Sequence, residues 1–191
     1  MHHREALEPI LAFLGGIGIG VAFGERGRGG FLPGTNVQGG VIHVDLETLP
    51  GSGDLLHEAG HIAIVPRRHW HRLGPDLQAD VETALADETA AGEPDPALRM
   101  AAGMGEFMAQ AWSYAAALQA GVTPASVFFP GSYKHHEYQG AHPMQAWIES
   151  GTHHGARALA EVGMTGFSGL FRHFGDNGLP PFPQMNRWTL D

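Results

Sequence analysis

Residues 54–66 read D-L-L-H-E-A-G-H-I-A-I-V-P, and the reading of this stretch decides the fold around it. His57 and His61 stand four apart, with Glu58 directly after the first. The turn-forming run Pro50, Gly51, Ser52, Gly53 comes before it, Asp54 is a favourable N-cap, and Pro66 closes it. Apart from the motif the interval is almost wholly apolar, which predicts a short buried helix. Residues four apart on a helix project about 40° from one another, so both imidazoles can turn toward one ion. Glu58, about 100° round from His57, then stands beside that ion, where a carboxylate can take a proton from bound water. The competing reading is a buried helix whose histidines are satisfied without metal. With 13 histidines in the chain the pattern alone is a weak signal. A metal is favoured because two imidazoles and a carboxylate are costly to bury without partners.

At 191 residues and 43% hydrophobic content, the chain suits one domain, residues 1–191, with its own core. It has no cysteine, so a metal site must come from His, Asp and Glu. A net charge of -9 without any basic run argues against nucleic acid or an anionic membrane as partner, and leaves peptides or small molecules as substrates. The apolar run 10–23 is broken by Gly15, Gly16, Gly18 and Gly20. It is too short for a membrane span and lacks the basic start and cleavage site of a secretory leader, so the cytoplasm is the expected location. Its G-G-I-G-I-G reads as a glycine-rich strand rather than a phosphate loop, since no helix pattern follows.

Residues 17–23 and 41–46 alternate with period two and predict strands, the second with Ile42, Val44 and Leu46 on one face and His43 and Asp45 on the other. An exposed edge on residues 41–46 would offer pairing to an extended peptide. Residues 67–74 read as a basic, His-rich loop, and 76–91 as a helix with a solvated acidic face. Residues 97–120 contain a long alanine-rich helix, best defined over 104–119 and ended by Gly121. After an irregular stretch, 123–143, helices are expected near 143–149 and 152–162, before a Pro-rich tail. The fold class is therefore α+β: a short N-terminal sheet, then a mostly helical region.

Two histidines leave a catalytic zinc one protein ligand short. Glu106 is the leading choice, because its helix is otherwise apolar or small nearly all round. Ala109, Ser113 and Ala116 continue its face and would let the motif helix approach closely. Alternatively Glu106, in the first turn of the 104–119 stretch, complements the helix dipole without metal. His69, His71, His135 and His136 are further candidates, and Asp80 or Asp87 could accept the free N–H of a ligating histidine. Tyr133, His135 and His136 sit in the irregular stretch as candidate donors to an oxyanion.

The H-E-A-G-H motif with a later glutamate resembles the gluzincin metallopeptidases. Closest in scale and order are the minimal gluzincins, including the small immunity-repressor and radiation-response peptidases. In these a strand pair precedes the motif helix, and a downstream helix gives a glutamate followed three residues later by alanine, as Glu106 and Ala109 do here. The resemblance covers about residues 16–120. It implies that His57, His61 and Glu106 bind Zn2+ and that Glu58 is the general base.

The expected function is a zinc-dependent hydrolase, foremost a metallopeptidase. A metalloenzyme with a non-peptide substrate and a non-catalytic metal-binding protein are the alternatives, and Glu58 separates them, because only hydrolysis needs that carboxylate.

Overall fold

The computed structural model describes residues 1–134 and 140–191. A helix, α1 (Leu7–Gly16), comes first, where a strand was expected to begin the fold. Ile10 and Leu14, one turn apart, are fully buried and hold it to the core. Gly15 and Gly16 end this helix rather than opening a strand, and Gly18, at φ 79°, turns the chain. Only the second half of the expected strand survives, as β1 (Gly20–Phe23).

Two more strands follow, β2 (Thr35–Gln38) and β3 (Val41–Val44), in the sheet order β1-β3-β2. β3 runs parallel to β1 and antiparallel to β2. The expected edge pairing of residues 41–46 is thereby corrected: β3 is central, with both edges already used, and β2 is an outer strand. Ile42 and Val44 face the core, whereas Leu46 lies past the strand and is exposed. Asp45 is buried against the Arg28 guanidinium.

The helical part comprises α2 (Asp54–Ala63), α3 (Leu77–Ala91), α4 (Pro96–Gln119), α5 (Pro143–Glu149) and α6 (His154–Glu161). Asp76 caps α3 by accepting from Ala79 N–H; Asp95 caps α4 by accepting from Ala97 N–H, with Pro96 in the first turn. Asp54, expected as the cap of α2, lies inside it instead, after Gly53. Because α4 begins at Pro96, Glu106 falls in its middle, away from the N-terminal partial charge, and the dipole alternative no longer applies.

α4 is the beam on which α2, α3 and α6 pack. The α2 crossing is close: a methyl group at Gly60 would lie 2.9 Å from the Ala109 carbonyl oxygen and 3.0 Å from its Cα. The tail returns behind α2, where Leu190 N–H bonds to the Ala63 carbonyl and the Trp112 indole donates to the Trp188 carbonyl. Residues 67–72 are a short 3-10 helix rather than a free loop. Ion pairs tie it down: Arg68 reaches Glu88 and Asp95, and Arg72 reaches Asp87. Among the described residues no helix is long and apolar enough to cross a membrane.

Candidate metal centre

The spacing of four on α2 and the crossing at Gly60 bring three donor side chains to one point. His57 Nε2 and His61 Nε2 are 3.2 Å apart, and Glu106 Oε2 lies 3.2 Å from His61 Nε2 and 3.7 Å from His57 Nε2. A tetrahedral zinc with bonds of about 2.0–2.1 Å needs donor atoms about 3.3 Å from each other, so the triangle has the right edge lengths. Among the described residues this is the group of His, Asp and Glu side chains whose donor atoms converge closely enough for an ion.

Electrostatics keep these donors ready. Burial, with the nearby His61 charge, pushes the His57 imidazole down to about 4, against the pull of Glu106, so its lone pair is free at neutral pH. At Glu106 partial burial favours the neutral form, but the His61 hydrogen bond, the charges of both histidines and the Gln110 amide outweigh it and hold the carboxyl at about 2. Gln110 Nε2 donates to Glu106 Oε1 at 2.9 Å, one helical turn along α4.

Behind the triangle, Tyr133 Oη lies 2.9 Å from His57 Nδ1. A metal on Nε2 would leave the ring proton on Nδ1, placed to donate to the phenol oxygen. Ser113, on α4, donates its hydroxyl to the Gln110 carbonyl at 3.0 Å. Burial and the Glu106 charge keep the phenol protonated, well above its usual range. The candidate oxyanion donor thus stands at the back of His57 and orients that ring. His135 and His136 lie outside the described residues.

Glu58 is buried, and Thr35 Oγ1 on β2 donates to its Oε1 at 3.2 Å. Burial pushes its carboxyl up, with His61 and Thr35 pulling the other way. Asp54 stands one turn before Glu58, accepts from Gly51 N–H at 3.2 Å, and is pushed by burial up to about 7. Asp54, His57, Glu58 and His61 therefore form one polar stripe along α2, facing a cleft of about 1210 Å³. β2 contributes Thr35, Asn36 and Val37 to the cleft, α4 contributes Gly105 and Glu106, and Phe31, Leu32, Ile64 and Leu77 are among its apolar walls.

The other candidates serve elsewhere. His69 is buried with Nε2 2.7 Å from Glu88, and His71 is exposed. Asp80 accepts from Gly74 N–H and Asp87 pairs with Arg72, so both brace residues 67–74 rather than a ligating histidine. Gln110 and Thr35 escaped the sequence reading. Gln110 had a signal, a buried amide one turn after the chosen glutamate; Thr35, 23 residues from Glu58 in a four-residue strand, had none.

No protein-family description, curated protein or solved structure matches this chain.

Proposed function

We propose that the protein is a zinc-dependent hydrolase of the gluzincin type, foremost a metallopeptidase. The observation that carries the reading is the His57, His61 and Glu106 triangle with Glu58 beside it in the same cleft. His57, His61 and Glu106 would hold the zinc, which when bound would lower the pKa of a water toward about 7 and polarise a carbonyl. Glu58, steadied by Thr35 and raised by burial, takes a proton from water and returns it to the leaving amine. Tyr133 fixes the tautomer and plane of His57, and Gln110 fixes Glu106. Peptides are favoured over other substrates because the His57, Glu58, His61 and Glu106 pattern resembles that of the gluzincin peptidases.

The test is Glu58→Gln against a mixed peptide library read by mass spectrometry. Glutamine keeps size and hydrogen bonding but takes no proton, so metal content should stay and cleavage should fall by about 100-fold or more. A wild type that cleaves nothing counts against the peptidase, and a Glu58→Gln protein that cleaves normally with metal in place refutes the mechanism.

A further inference from the structure

Behind Glu106 runs a second line of buried polar groups. His153 is fully buried and caps α6, its Nδ1 accepting the Gly155 N–H at 3.2 Å. Burial, with the adjacent His154 charge, pushes it down to about 4, so the ring is neutral and its one proton sits on Nε2. Nε2 is 3.2 Å from Gln110 Oε1 and donates to it. The Gln110 amide, itself buried, then has only one workable orientation. Reversed, its NH2 would face the His153 N–H and its oxygen would face the Glu106 carboxylate. As it stands, NH2 donates to Glu106 Oε1 and leaves Oε2 for His57 and His61.

The ring of His153 is held in place by packing. Trp147 meets it at 4.4 Å and Phe107 at 5.9 Å between centroids. A methyl group at Gly155 would lie 1.8 Å from the Phe107 carbonyl oxygen, so only glycine lets the start of α6 press against α4 next to Glu106.

We infer that His153 and Gln110 are positioning residues: the proton on His153 Nε2 sets the Gln110 amide, and the amide selects which Glu106 oxygen faces the metal site. The inference rests on the proposed metal site. It ties the docking of α6 to the geometry of that site, because the nitrogen that caps the helix fixes the tautomer that reaches Gln110.

The experiment measures zinc affinity by competition with a chelating dye, alongside the melting temperature of the metal-free protein. Two substitutions separate the cap from the relay. His153→Asn keeps a capping oxygen and loses the distant donor; His153→Gln keeps a distant N–H donor and caps poorly. The relay predicts that His153→Asn weakens zinc binding by roughly 10-fold, while His153→Gln lowers the melting temperature yet binds zinc nearly as wild type. Gln110→Met, of similar size, should weaken binding about 10- to 100-fold, and adding His153→Asn to it should cost little more. Affinity that merely follows melting temperature across the set, or losses that multiply in the double variant, would overturn the relay. Wild type that fails to bind zinc would overturn the metal site itself, and the relay with it.

Discussion

Tyr133 Oη lies 2.9 Å from His57 Nδ1, while the other nitrogen of the same ring faces His61 and Glu106. Tyr133 reaches that place with a left-handed backbone, φ 52° and ψ 23°, at a cost of about 1–3 kcal/mol for a residue with a side chain. His142 holds the turn: its Nδ1 caps α5 at Met144 N–H, and its Nε2 donates to the Ser132 carbonyl at 3.1 Å. On the proposed metal reading, Tyr133 orients the His57 ring.

Tyr133→Phe should keep the ring stacked on Phe128, 5.5 Å away, and change stability little. Losing the acceptor for His57 Nδ1–H should weaken zinc binding by roughly 10-fold, read by chelator competition. Unchanged affinity would remove Tyr133 from the site.

Glu106→Ala removes the donor on α4 and should cut zinc affinity by more than 100-fold, leaving two imidazoles to bind. Glu82→Ala should leave it unchanged. Glu88→Ala should also spare zinc affinity but lower stability, because Glu88 holds Arg68, His69 and the Asp95 N–H. The opposite ranking, measured by titration calorimetry, would move the third ligand to α3.

Gly60→Ala forces α2 and α4 apart at Ala109 and should destabilise by about 1–3 kcal/mol in denaturant titrations, while loosening the His61 to Glu106 approach. Gly103→Ala is the control. A methyl there meets nothing within 4 Å, and the exposed helical site should gain up to about 1 kcal/mol. Equal effects at the two glycines would contradict the close crossing.

The Asp95 N–H, against some burial, and then Arg68 and His69 hold the Glu88 carboxyl at about 2, below its ordinary 4.5. A depressed acid stabilises the fold fully above its unfolded value and loses that contribution as pH falls toward its folded one. The stability gap between wild type and Glu88→Gln should therefore be constant above about pH 5 and shrink from there toward about pH 2. Thermal melts across that range test it; a gap that widens on acidification would contradict the bracing role.

What could be read from the sequence was what is local and periodic. The motif helix was legible from its flanking turn residues, apolar interval and closing proline, α3 from its acidic face, α4 from its alanine-rich run and the start of α5 from Pro143. α1 was hidden because its closing glycines also suit a strand, and T-N-V-Q in β2 has no alternation to show. Glu106 was legible as a lone acid in a helix of small and apolar residues. Thr35 and His153 were not, since their meaning comes from partners 23 and 43 positions away. His142 and His153 also cap helices through Nδ1, a place where Ser, Thr, Asp or Asn is the usual sign.

The most direct test of the account is elemental analysis of the chain, purified without a polyhistidine tag and reconstituted with zinc, beside His57→Ala and His61→Ala. The triangle predicts about one zinc per wild-type chain and almost none in either variant. Less than about 0.2 zinc per wild-type chain, or undiminished zinc in both variants, would contradict the metal site on which the proposed function stands.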